Sequence, residues 1–152
     1  TGAALLLLIS GYFAMRKPIG IRNNNPGNIR ITNDAWQGLA DKQSGEYFTF
    51  ISAKYGYRAM AKILMNYQRR GVNTIQEIIN TWAPTSENDT HSYIEHVATL
   101  LQTSPAQELD VINDHTILVQ LMEAIAKHEN GTLAWQTYHN RQMIYDGINL
   151  VS

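Results

Sequence analysis

The sequence predicts an α+β domain, mainly α, with a small β-hairpin and with a hydrophobic helix in front of it. Three observations carry this prediction. Residues 2–15 are uncharged and mostly aliphatic. Residues 20–50 join a dense Asn, Pro and Gly segment to short alternating runs, a pattern of turns and short strands. From Ser52 onward, apolar residues recur at the helical period in segments bounded by capping and breaking residues.

The first element runs from Gly2 to Met15, includes Ala3-Ala4-Leu5-Leu6-Leu7-Leu8-Ile9, and is stopped by Arg16-Lys17-Pro18. Fourteen residues of helix rise about 21 Å, short of the roughly 30 Å hydrocarbon core of a bilayer. The sequence does not begin with Met, and the segment fits the end of a membrane anchor with a basic flank at the lipid interface. The alternatives are a helix packed on the domain or on a partner, and a signal-peptide remnant. The predicted organisation is therefore a hydrophobic helix over residues 1–18 and one domain over residues 19–152.

Within that domain, Asn23-Asn24-Asn25-Pro26-Gly27-Asn28 demands turn geometry, with positive φ at Gly27 or at an Asn. Ile29-Arg30-Ile31, Trp36-Gln37-Gly38 and Phe48-Thr49-Phe50 then suit a small antiparallel hairpin. Met60, Ile63, Leu64 and Tyr67 share a face of a helix that starts at Ser52 and ends near Arg70-Gly71. Thr74-Ile75-Gln76-Glu77 is a capping box, with Ile75, Ile78, Ile79 and Trp82 as the apolar stripe behind it and Ala83-Pro84 as the stop. A third helix is predicted from Asp89 or Thr90 to Leu101, with Ile94, Val97, Ala98 and Leu101 inward. A fourth begins near Asn113-Asp114, points Ile117, Leu118, Leu121, Met122 and Ile125 inward, and closes at Asn130-Gly131. A last short helix follows Asn140.

Composition narrows the function classes. A chain of 152 residues with 44% hydrophobic and 16% charged residues is ordinary for one globular domain. A net charge of −1 argues against binding nucleic acid through a broad basic surface. The absence of cysteine excludes disulfides, thiolate metal sites and a cysteine nucleophile, and the five His residues show no ligand spacing. No metal or other cofactor is implied.

Glu129 is the residue most suited to chemistry. It follows Ile125 by four, so it lies on the apolar face in the last turn of its helix. Partial burial and the negative end of the helix dipole both disfavour its anion. A carboxyl kept protonated near neutral pH can give its proton to a glycosidic oxygen. Two further segments are denser in polar and aromatic groups than turns and caps require: Arg22 to Arg30, rich in amides that suit sugar hydroxyl and acetamido groups, and Trp82 to Thr90 with Tyr93 behind it.

Together these residues resemble a known family. Ala124-Ile125-Ala126-Lys127-His128-Glu129-Asn130-Gly131 resembles the catalytic helix of glucosaminidases and lytic transglycosylases, which ends in Glu-Ser-Gly or similar. Asn23 to Arg30, followed by Trp36 and Gly38, is similar to the Asn-Asn-x-x-Gly-Ile-Lys and Trp-x-Gly segments of flagellar-type glucosaminidases, and Phe48, Phe50 and Ser52 to their Phe-x-x-Tyr-x-Ser. Pro84, Glu87, Thr90, Tyr93, Ile94 and Val97 fall as in a segment of soluble lytic transglycosylases whose tyrosine lies beside the catalytic acid. Over about residues 21–150, the arrangement resembles phage and prophage domains that begin Arg-Asn-Asn-Asn-Pro-Gly-Asn-Ile-Arg and end His-Glu-Asn-Gly.

The resemblance implies a lysozyme-like domain that cleaves the β-1,4 bond between N-acetylmuramic acid and N-acetylglucosamine, as a lytic transglycosylase or else as a lysozyme. It implies Glu129 as the acid with Tyr93 beside it, and Asn28, Arg30, Trp36, Asn88, Asn25 and His128 as substrate-binding residues. In the glucosaminidases and transglycosylases the Glu helix precedes the Asn-rich segment, whereas here it follows. The reading therefore requires a circularly permuted fold, and Glu87 is the acid if the order is unpermuted. Glu46, Asp41 and Glu87 are the possible second carboxylates of a lysozyme. The implied partner is the peptidoglycan glycan strand, with membrane or other virion proteins reached through residues 1–17, and the implied location is a phage virion or the bacterial envelope and periplasm. The competing classes are a non-catalytic phage structural or glycan-binding domain, and a murein endopeptidase.

Overall fold

The structure, a computed structural model, describes residues 17–85 and 88–151. The hydrophobic helix expected over residues 1–18 lies almost wholly outside the described residues, as does Glu87. Among the described residues no helix is long and apolar enough to cross a membrane.

Seven helices form among the described residues: α1 Ile19–Arg22, α2 Ala53–Arg69, α3 Ile75–Trp82, α4 Thr90–Leu101, α5 His115–Asn130, α6 Thr132–Tyr138 and α7 Arg141–Asn149. The predicted caps place their starts. Thr74 and Glu77 close the capping box on α3, Asp89 accepts from Ser92 N on α4, Asp114 accepts from Thr116 N and Ile117 N on α5, and Asn140 accepts from Met143 N on α7. Gly131 ends α5 at φ 87°, a conformation that favours glycine, and its carbonyl at once opens α6 by accepting from Trp135 N at 3.0 Å. The short helices α1 and α6 carry too few turns to leave a periodic signal in the sequence.

The centre of the molecule is α5. The sequence shows one apolar stripe there, yet Leu118, Val119, Leu121, Met122, Ala124, Ile125 and Ala126 are all buried. Residues 124–126 in succession cover most of a turn, so the helix is enclosed on nearly every side. It packs against α1, α2, α4, α6 and α7. Tyr57, Met60, Ala61 and Leu64 of α2 and Ile144 and Ile148 of α7 complete the same core, as do Ile75, Ile78 and Ile79 of α3.

The expected β-hairpin does not form. The described residues contain no strand or sheet, and the fold is mostly α rather than α+β. Residues 29–31 do meet 46–48, and 38–40 meet 49–51, but only as the isolated antiparallel bridges Arg30–Tyr47 and Leu39–Phe50. Side-chain amides interrupt the ladder. Asn25 Nδ2 donates to Phe48 O at 2.9 Å and to Ile29 O at 3.0 Å, and Asn25 Oδ1 accepts from Ile29 N at 2.9 Å. Gln43 does the same further along, donating to Ala40 O and Thr49 O and accepting from Thr49 N. Alternating Phe48 and Phe50 thus bury against Ala59 in a small second core beside Trp36 and Leu39 without needing a sheet. Positive φ falls on Asn24 (52°) and Asn28 (49°), not on Gly27.

Candidate functional site

The Asn-rich loop and the end of α5 are brought together by one side chain. Asn130 is buried, and its Nδ2 donates to Pro26 O and to Ala126 O, both at 2.9 Å, so it ties the loop to the last turn of the helix. Gly20 of α1 permits this approach, because a Cβ there would strike Asn130 Oδ1 and Asn28 Oδ1. The result is that Asn28, in left-handed conformation, points its side chain at the neighbour of Asn130, which is Glu129.

Glu129 is held at both oxygens. Asn28 Nδ2 donates to Oε1 at 2.9 Å, and Tyr93 Oη of α4 donates to Oε2 at 2.7 Å. Burial nevertheless lifts its pKa above the ordinary carboxylate value, outweighing the two donors and the positive charge of Arg30. Tyr93 is itself buried, and its hydroxyl is pushed well up by that burial and by the adjacent carboxylate, so it remains a donor. The ring of His128 stacks on Tyr93 with centroids 3.7 Å apart, and His128 Nδ1 is 2.8 Å from His96 Nδ1.

Glu129 borders a groove of about 380 Å³. Asn28, Arg30, Trp36 and Asn88, four of the residues expected to bind substrate, line it. Asn88 donates to Pro84 O at 3.2 Å rather than to Glu129, and the amide that reaches Glu129 is that of Asn28. Two predicted binding residues lie elsewhere. Asn25 is wholly buried, with its amide occupied by backbone groups, and His128 is off the groove, behind Tyr93. Of the expected second carboxylates, Glu46 is exposed and paired with Arg30 at 3.6 Å, and neither it nor Asp41 lines the groove.

Sequence reasoning missed Asp34, Tyr47 and Tyr67 on the groove wall, and it singled out Trp82 only as part of the Trp82 to Thr90 segment, with no binding role. Trp82 has a signal in the sequence, since it heads the polar segment before α4, but it reads there as part of an apolar stripe. Asp34, whose Oδ2 accepts from Thr32 Oγ1, has no distinguishing context. The groove is lined from the loop by Asn28, Arg30, Trp36 and Tyr47, and from the end of α3 and the α3–α4 connection by Trp82, Pro84 and Asn88. Thr90 Oγ1 fixes that connection by donating to Ala83 O at 2.6 Å. Aromatic rings, amides and a carboxyl whose pKa is raised by burial thus share one groove, a set of groups capable of general acid chemistry on a bound polar ligand. Among the described residues no cluster of three or more His or acidic side chains could hold a metal.

No protein-family model matches the chain. Over 118 residues, which cover 74% of this chain and 71% of the other, it is 37% identical to protein P5 of Pseudoalteromonas phage PM2.

Proposed function

The chain belongs to the family of protein P5 of Pseudoalteromonas phage PM2, and from that premise we propose that it is a phage enzyme that cleaves the glycan strands of peptidoglycan, with Glu129 as the acid. The observation that carries the proposal is Glu129 itself: a mostly buried carboxyl with raised pKa, oriented by Tyr93 and Asn28 at the edge of a groove lined by Trp36, Trp82 and amides.

Glu129 gives its proton to the bridging oxygen as the bond to the muramic acid C1 breaks. In a lytic transglycosylase the resulting carboxylate takes the proton of the 6-hydroxyl as that oxygen bonds to C1, closing an anhydro ring with no water consumed. One carboxylate suffices for this route. Lysozyme chemistry is the second reading, and Asp34 on the same groove favours it as a partner carboxylate. In both, activity requires protonated Glu129 and declines as pH rises through its elevated pKa.

Mass spectrometry of the soluble products from purified sacculi tests the proposal. Anhydromuramic ends are the expected result, reducing muramic ends place the chain with lysozymes, and intact sacculi overturn the reading.

A further inference from the structure

Two imidazole nitrogens 2.8 Å apart admit one proton between them. His96 Nδ1 and His128 Nδ1 stand at that distance, with ring centroids 5.1 Å apart. One nitrogen must carry hydrogen and the other must present a lone pair, so the pair is at most singly charged while it is closed. A second proton would set N–H against N–H and force the rings apart.

This pair abuts the site described above. His128 stacks on the Tyr93 ring at 3.7 Å and 25°, and the Tyr93 hydroxyl is 2.7 Å from Glu129 Oε2. His96 and Tyr93 are three residues apart on α4, and His128 and Glu129 are adjacent on α5, so four side chains form one continuous line between the two helices. Tyr93 is held at its ring face by His128 and at its hydroxyl by Glu129.

We propose that His96 is a positioning residue: by sharing one proton with His128 it clamps the Tyr93 ring and so keeps the Tyr93 hydroxyl on Glu129. This rests on the reading of Glu129 as the acid. Double protonation of the pair opens the clamp, frees the His128 ring from Tyr93 and weakens the hydrogen bond to Glu129, so the proton donor loses its orientation on the acid side.

Burial and His96 both disfavour charge on His128, while Asp89 at the start of α4 favours it. Asp89 in turn is held low by its bonds from Ser92, with His91 and His128 as lesser positive influences. Among the described residues, Tyr93 is the further titratable group against the pair, and Glu129 is reached through it.

The test uses the whole chain with ¹³C-labelled Glu and ¹⁵N-labelled His, followed by NMR from pH 8 to the acid limit of folding, roughly pH 4 by the usual histidine and carboxylate ranges. In the wild type, entry of a second proton into the pair is expected to be accompanied by a shift of the Glu129 carboxyl resonance as a second step. In His96→Gln, whose amide can still bond His128 Nδ1 but does not titrate, the Glu129 resonance is expected to lose that second step and the acid limb of sacculus cleavage to move to lower pH. In His96→Leu the Glu129 titration is expected to change even at neutral pH. A Glu129 titration and pH profile that are the same in all three proteins would overturn the inference. The NMR arm does not depend on activity: wild type that cleaves no sacculi yet shows the coupled step refutes the proposed function and leaves the clamp standing.

Discussion

The residue proposed as the acid is a carboxyl caught between opposing influences. Burial raises the pKa of Glu129, and donation from Tyr93 and Asn28 lowers it, with burial the stronger. Removing either donor therefore takes away support for the anion alone. In Tyr93→Phe and in Asn28→Ala the Glu129 pKa is expected to rise further above the carboxylate range, which ¹³C NMR of the labelled carboxyl reads directly. An unchanged titration in both variants would mean that the hydrogen bonds at 2.7 Å and 2.9 Å do not hold Glu129 in solution. Tyr93→Phe is also expected to reduce kcat more than KM, because orientation of the proton donor matters most at the transition state.

At the scale of elements, the loop of residues 23–50 does the work that a hairpin was expected to do. Asn25 replaces a strand partner by satisfying Ile29 N, Ile29 O and Phe48 O with one buried amide. Each buried backbone group left unpaired costs about 1–3 kcal/mol, so Asn25→Ala is expected to destabilise the domain by at least about 2 kcal/mol in denaturant titrations. A loss below about 0.5 kcal/mol would show that water or a shifted backbone takes over the amide's role. The helices with capping residues and long apolar periods were legible in the sequence: α2, α3, α4, α5 and α7 start and stop close to where Ser52, Thr74, Asp89, Asp114, Asn140 and Gly131 place them. The hairpin was not, because alternation of Phe48 and Phe50 reports only which side chains face inward, and an amide can pair a backbone as well as a strand can. The meeting of Tyr93 with Glu129 was legible from the motifs that contain them. The part played by Asn28 beside Glu129 depends on a left-handed turn and on Asn130 reaching Pro26, neither of which has a local signature.

The whole molecule carries a second polar cluster that bears on stability. Trp135 Nε1 donates to Tyr57 Oη at 2.9 Å, which leaves the Tyr57 hydroxyl hydrogen for His139 Nδ1 at 2.6 Å. Burial disfavours the imidazolium and lowers the His139 pKa to about 4, and the neutral ring can accept that hydrogen at Nδ1. The unfolded chain binds this proton near pH 6.5, so between about pH 6.5 and about 4 it holds more protons than the folded one. Stability from this cluster is complete above pH 6.5 and is lost as pH falls towards 4, by on the order of 2 kcal/mol after allowance for solvent screening. His139→Gln keeps an acceptor for Tyr57 without titrating, and its unfolding free energy is expected to fall less over that range than the wild type's. Parallel pH dependences for the two proteins would contradict this role for His139.

The fold joins three distant parts of the chain at one groove: the Asn-rich loop, the α3–α4 connection and the last turn of α5. The most direct test of what that groove does is the rate at which purified sacculi release soluble muropeptides with the wild type and with Glu129→Gln, a variant of nearly the same shape that keeps one acceptor oxygen and cannot deliver the proton. General acid catalysis is worth a factor of about 10²–10⁴, so release is expected to fall at least about a hundredfold with the variant still folded. Equal release by the two proteins would contradict the assignment of Glu129 as the acid.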